Sequence, residues 1–311
     1  MKLEFIPRAC PLCGGDDFQV LAEATIVEGR LTDSAFASRK LPEYMHSRMV
    51  ECHLCGMLYA NPVLRPETLA DAYKEASFDS GAESRLAATT YRALLDPHLT
   101  ALPSRRSALD IGAGDGAFVE ELLGLGFDDV IGVEPSIAPI EAANPAIRGY
   151  LKCGIFAAEQ FAPESLDLIT CFQVIEHVWD PVKITSDALA LLKPGGLFFL
   201  VAHDRRAFSA RLMGTKSPIF DIEHLQLFDS RTSISLLRNA GFDSVKVSSV
   251  QNRYPVDYWL KLFPIPRPVK SAMRRLAELS GIGKLLLSLP AGNLAVVGQK
   301  PMIALRVTDP V

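Results

Sequence analysis

Residues 107–116 read Ser-Ala-Leu-Asp-Ile-Gly-Ala-Gly-Asp-Gly, and a carboxylate follows at Glu134, where Val-Ile-Gly-Val-Glu (130–134) closes a second short apolar run. Glycines at 112, 114 and 116 let the backbone approach a ligand closely, and a helix starting just after them offers unpaired amides and a partial positive charge. An acid about 20 residues beyond such a loop, at the tip of the next strand, can accept both hydroxyls of a ribose. The glycine spacing is one residue tighter than G-x-G-x-x-G, with Asp110 before the glycines and Asp115 among them. Two carboxylates repel a pyrophosphate; they suit a ligand with an amino group and a sulfonium. A bare glycine loop is also an ordinary strand-to-helix turn. With Asp110 and Glu134 in place, Gly112, Ala113, Gly114, Asp115 and Gly116 read as a pocket for S-adenosylmethionine (SAM).

A second constellation is built from thiols. Cys10-Pro-Leu-Cys13-Gly and Cys52-His-Leu-Cys55-Gly are two Cys-x-x-Cys turns, each followed by a glycine that permits the tight turn needed to aim both sulfurs at one point. Four thiolates in this pattern make a closed tetrahedral site whose usual occupant is zinc, held for structure because no coordination position stays open. Disulfides are the competing reading and fit poorly in a reducing compartment. Cys153 and Cys171 lie in apolar runs and read as buried core residues.

These sites need elements to hold them. With 49% hydrophobic and 22% charged residues over 311 positions, the chain can bury a sizeable core. Residues 1–62 read as the zinc-binding lobe, with a small strand-rich insert between the two turns (14–51). Residues 63–100 read as a helical cap or linker, starting at Pro66-Glu67-Thr68. From Ser107 to residue 311, strand-like and helix-like segments alternate, which predicts a doubly wound, mostly parallel sheet. The strands expected are 108–111, 129–134, 166–172, 196–202, 242–247 and 293–299, with helices over 117–125, 181–193 and 230–240.

Residues 107–250 resemble class I SAM-dependent methyltransferases, especially the ubiquinone-type branch. The resemblance is carried by Asp-Ile-Gly-Ala-Gly-Asp-Gly, then Gln-Val-Ile-Glu-His-Val-Trp-Asp-Pro (173–181), Leu-Lys-Pro-Gly-Gly (192–196) and Arg-Asn-Ala-Gly-Phe (238–242). It implies a Rossmann-like sheet of seven strands over 101–311 and SAM as cofactor. Zinc knuckles ahead of this region and Glu223-His224 behind it are similar to methyltransferases of sugar, glycan and natural-product pathways. In such enzymes a Glu-His pair at this place is associated with proton transfer, and the segment holding His177 walls the cofactor.

A hydroxyl or carbon acceptor needs a base, and histidine titrates near working pH. His224 is the preferred base, with Glu223 as its orienter or a substrate acceptor; a capping surface pair is the bland alternative. His203 closes a strand on the edge where ligands gather, so it is assigned to substrate contact. Gln173, at the end of the fourth strand, is assigned to the methionine part of SAM, and Ile155 and Phe156 to its adenine. Tyr73 and Tyr91 read either as a cap over the ligands or as packing.

Segment 253–291 differs from the rest, holding seven Lys/Arg against two acids while the whole chain carries −4. Aromatic and leucine groups are interleaved with the cations, and the cluster Pro255, Pro264, Pro266 and Pro268 breaks any single helix. This basic amphipathic insertion reads as a substrate lid or as a peripheral contact with a membrane surface. No apolar stretch reaches the ~18–20 residues of a membrane span, and the first residues lack the apolar run of a signal peptide. The expected location is cytoplasmic, with peripheral contact at the inner membrane surface through 253–291. Three function classes compete. The first is methyl transfer to a small molecule, including a nucleotide- or lipid-linked sugar. The second is RNA base methylation, disfavoured by the acidic balance of residues 1–62. The third is a non-enzymatic SAM-binding scaffold. The acceptor atom and the oligomeric state are not set by these motifs.

Overall fold

The computed structural model describes residues 4–27, 44–74, 81–263 and 265–302. Part of the insert between the two cysteine turns (28–43) and part of the expected helical linker (75–80) lie outside the described residues.

The N-terminal lobe contains β1 (Phe5–Ile6), β2 (Phe18–Ala22), β3 (Met49–Cys52), β4 (Leu58–Ala60) and β5 (Val63–Leu64). Two helices follow, α1 (Pro66–Lys74) and α2 (Gly81–Leu95). The larger body then runs β6 (Ser107–Ile111), α3 (Ala117–Gly124), β7 (Asp129–Glu134), α4 (Ile137–Ala142), β8 (Leu151–Cys153) and β9 (Leu166–Phe172). It continues with α5 (Pro181–Leu191), β10 (Leu192–His203), α6 (Phe208–Met213), β11 (Gln226–Leu227) and α7 (Ser230–Ala240). It ends with β12 (Asp243–Pro255), α8 (Val256–Leu262), α9 (Arg267–Leu279) and β13 (Leu286–Gln299).

Seven strands form the main sheet in the order β12-β13-β10-β9-β6-β7-β8. Pairings from β10 to β8 are parallel, and β13 runs antiparallel between β10 and β12. Central strands β6, β9 and β10 are buried along nearly their whole length. That is why they read as continuous apolar runs rather than alternating ones: helices cover both faces. On one face Leu109, Ile169, Phe198 and Leu200 pack with Ala188 and Leu191 of α5 and Leu236 and Leu237 of α7. On the other, Leu168, Phe199 and Val201 meet Tyr91 of α2, Phe118 of α3 and Trp259 of α8. The helices begin where local chemistry allows. Asp180 caps α5 ahead of Pro181, and Asp229 and Thr232 form a reciprocal capping box on α7, which stops at left-handed Gly241.

The lobe is sewn to this body. β11 pairs with β4, completing a four-stranded sheet in the order β11-β4-β3-β2. The Arg8 guanidinium donates to the carbonyls of Leu225 (2.6 Å) and Ala60 (3.2 Å) and to Gln226 Oε1 (3.0 Å). From the other side Arg205 reaches Glu51 (2.6 Å) and the Gly56 carbonyl (2.8 Å).

Two expectations need correction. Cys153 is exposed, because β8 is a short edge strand; Cys171, in β9, is fully buried. The last strand begins at Leu286, well before residue 293, since Arg253 to Pro255 still pair with Leu286 to Ser288. Segment 253–291 is therefore the far end of a long hairpin plus two helices, α8 ending just before Pro264 and α9 starting just after Pro266.

Candidate active site

The glycine loop follows β6 directly. Gly112 adopts φ +74, and a Cβ there would fall 2.2 Å from Val174 Cγ2, so no other residue fits. Asp110, 2% exposed, accepts from the Thr170 hydroxyl at 2.6 Å. Burial pushes its carboxyl up to about 7; the Thr170 hydrogen bond opposes this and nearby Glu134 adds to it. Glu134 accepts from the amides of Gly114 and Ser136, both at 2.9 Å, and burial raises its carboxyl as well. Each of its oxygens keeps a further lone pair that can accept from a ligand hydroxyl. Asp115 accepts from the Ser84 hydroxyl at 2.9 Å, tying the loop to α2.

Gln173 is the first residue after β9 and has φ +55, an uncommon conformation for a side chain of this size. Its backbone amide donates to Val201, and its buried side-chain Nε2 has no partner among the described residues. A buried donor left open at a strand tip fits a ligand carboxylate or carbonyl.

Three histidines come together where β10, the loop after β9 and the loop before β11 converge. The His224 ring lies 4.7 Å from that of His177 and 4.8 Å from that of His203. His224 Nδ1 is 2.8 Å from the Ile219 carbonyl. A carbonyl only accepts, so Nδ1 carries the hydrogen and Nε2 the basic lone pair in the neutral ring. His177 Nδ1 lies 2.9 Å from the Tyr73 hydroxyl and 3.1 Å from the Glu223 carbonyl, with the Glu223 carboxylate at 4.0 Å. His203 Nδ1 sits 2.8 Å from Asn293 Oδ1; burial and then the His224 neighbour hold its pKa down near about 3. His203 is therefore neutral at physiological pH. Beneath them Glu176 is fully buried, accepts from the His203 amide at 3.2 Å, and is pushed up to about 7 by burial.

One cavity of about 840 Å³ connects these groups. Asp110, Gly112, Ala113, Gly114, Asp115, Glu134, Ile155, Phe156 and Gln173 line one region of it, and His177, His203, Glu223 and His224 another. Gly116 is the exception, lying behind the loop as the left-handed residue that starts α3. Tyr73 and Tyr91 both line the cavity. Sequence reasoning missed Asn293 and the Ile219 carbonyl; within the segment expected as a lid or membrane contact, Tyr258, Trp259 and Leu262 of α8 line the cavity. Asn293 and Ile219 carried no signal, because their partners are 90 and 5 residues away in a fold not yet known.

The four thiols of the lobe also converge. Cys10 and Cys55 sulfurs are 3.5 Å apart, Cys13 and Cys52 sulfurs 3.6 Å, and all four lie within 4.8 Å of one another. A disulfide needs about 2.05 Å, whereas tetrahedral bonds of about 2.3 Å place sulfurs roughly 3.8 Å apart. Gly14 and Gly56, both at φ +74, make the turns, and their amides donate back to the carbonyls of Cys10 and Cys52. The donor set fits zinc.

A family model described as a methyltransferase domain matches residues 80–247, more than half of the chain. A probable S-adenosylmethionine-dependent methyltransferase of Mycolicibacterium smegmatis is 28% identical over 145 residues, covering 44% of this chain and 52% of that protein. A ubiquinone biosynthesis O-methyltransferase of Paracidovorax citrulli is 30% identical over 121 residues, covering 36% of this chain and 50% of that protein. The chain thus spans about half the length of these curated relatives. Among solved structures, the YcgJ protein of Bacillus subtilis superposes with a TM-score of 0.50 at 17% identity, over 68% of this chain and 99% of that one.

Proposed function

Because the chain belongs to the methyltransferase-domain family, we propose that it transfers the methyl group of SAM to a small-molecule acceptor, a sugar, glycan precursor or related metabolite, with His224 as general base. One observation carries the reading. The glycine loop with its two buried carboxylates and the histidine cluster line the same cavity, so a nucleoside ligand and an acceptor can meet in it.

In this reading Glu134 holds the ribose, Asp110 and the open amide of Gln173 hold the amino-acid end, and Ile155 and Phe156 flank the adenine. SAM, when bound, supplies an already electrophilic methyl group, so the protein's main task is alignment. The Ile219 carbonyl fixes His224 in the tautomer whose Nε2 can take a proton from an acceptor hydroxyl or acidic carbon. His203 stays neutral and serves as a hydrogen-bonding wall. His177, between Tyr73 and Glu223, supports the same end of the cavity. Aromatic residues of α8 exclude water from the acceptor side. We also assign a structural zinc ion to Cys10, Cys13, Cys52 and Cys55; four thiolate ligands leave it no open position for chemistry.

The test is transfer of radiolabelled methyl from SAM into a cell extract separated into polar metabolites, lipids and RNA. Label in nucleotide sugars, free sugars or glycolipids supports the proposal. Label in RNA would establish the base-methylation alternative instead. SAM binding without transfer to any fraction would favour a cofactor-binding scaffold.

A further inference from the structure

An amphipathic surface helix normally turns its apolar stripe to the core and its charges to water. α9 does the reverse. Val269, Met273, Leu276 and Leu279 share one face by their spacing and are all exposed, Leu276 at 67% and Leu279 at 77%. The helix is tied down through its polar side. Arg274 makes a two-point ion pair with Asp257 of α8 (2.6 and 2.8 Å), and Lys270 Nζ donates to the Lys261 carbonyl at 2.8 Å. The ion pair orients the helix so that its leucines face away from the protein.

The exposed apolar surface does not stop there. Ile282 and Leu285 to Leu287 continue it into β13, and Phe263 extends it at the end of α8. On α6, Phe208 is 82% exposed and Leu212 75%. α6 lies against β13, since a Cβ on Gly292 would meet Ser209 Oγ at 3.1 Å. Ser209, Met213, Phe263, Leu289 and Pro290 of these same elements also line the cavity. The elements that carry the exposed apolar groups therefore also contribute to the cavity wall.

Its fringe is cationic. Arg211 and Lys216 around α6, and Arg275 and Lys284 around α9, are exposed; Arg206 is exposed too but is paired with Asp229 at 2.8 Å, and Glu278 is the exposed acid of α9. We propose that this face, formed by α6, α9 and the start of β13, docks on an anionic lipid bilayer, with the leucines and Phe208 entering the headgroup boundary and the cations meeting lipid phosphates. Interleaved cations argue against a second copy as occupant, because a two-fold contact would set like charges against like. Among the described residues no helix is long and apolar enough to cross a membrane, so the contact is peripheral. The proposal goes beyond the methyl-transfer reading and does not depend on it.

The experiment is co-sedimentation of the full chain with phosphatidylcholine vesicles, with and without phosphatidylglycerol. Binding should require the anionic lipid and weaken as salt is raised. The double variant Leu276→Glu/Leu279→Glu should bind at least about tenfold more weakly, as should Arg275→Glu/Lys284→Glu, with SAM affinity by calorimetry unchanged as a check on folding. Failure of the parent to sediment with anionic vesicles, or equal sedimentation of parent and variants, would overturn the proposal. So would a dimer in solution that the leucine variant dissolves, which would make the face a self-association surface. SAM binding is read separately, so loss of the methyl-transfer reading would not be confused with loss of this one.

Discussion

At the residue scale, the buried carboxylates and the histidines carry the sharpest consequences. Asp110 holds its proton up to about pH 7 in the folded chain, whereas an unfolded aspartate has lost it by about pH 4. The folded form therefore binds more protons in that window, and stability falls as pH rises through it. Asp110→Asn should remove this loss. Thermal unfolding without ligand should show the variant gaining on the parent as the buffer moves from about pH 5 to about pH 8. A bound ammonium group favours the ionised carboxylate, so the parent should bind SAM more tightly with rising pH over the same range. The variant should lose that slope in calorimetry. For His224→Ala the expectation is a fall in turnover of about a hundredfold or more with little change in SAM affinity. Wild-type turnover would move the base elsewhere. His203 cannot supply an acidic limb near neutrality, because burial keeps it unprotonated to about pH 3. The candidate residues themselves were legible because glycines, acids and histidines at strand ends are rare enough to be informative. Their pairings were not: the Ile219 carbonyl that fixes His224 and the Asn293 amide that faces His203 are ordinary residues given a role by position.

At the element scale, β3 and β4 link the cysteine cluster to the site. Cys52 closes β3, β3 pairs with β4, and β4 pairs with β11, which directly follows the loop holding Glu223 and His224. Cys52→Ser should release zinc, measured by metal analysis, and lower the unfolding temperature. It should also reduce turnover more than SAM affinity, because the disturbance reaches the acceptor side first. Full zinc occupancy in that variant would defeat the four-thiolate assignment. Periodicity and punctuation located most of these elements, α7 from Ser230 to Ala240 among them. What they could not locate was the pairing of a two-residue strand with a partner about 170 residues earlier in the chain, since β11 is too short to have a period.

At the scale of the whole molecule, lobe and body should behave as one cooperative unit. The shared sheet, the buried Arg8 bonds and the Arg205–Glu51 ion pair cross between them. Calorimetry of the zinc-loaded chain should therefore give a single unfolding transition, shifted upward by SAM. Two separated transitions would make the lobe an independent domain. By itself the sequence determined the α/β class, the glycine loop, the Cys-x-x-Cys turns and the unusual charge of 253–291. Each of these is written in neighbouring residues, where backbone conformation and ligand spacing act locally. Only the tertiary structure decided that three histidines from separate segments share one cavity, that α8 lines it, and that α9 turns its leucines outward. Those facts depend on which strands lie side by side and on a single ion pair between helices, and neither is encoded in any local period.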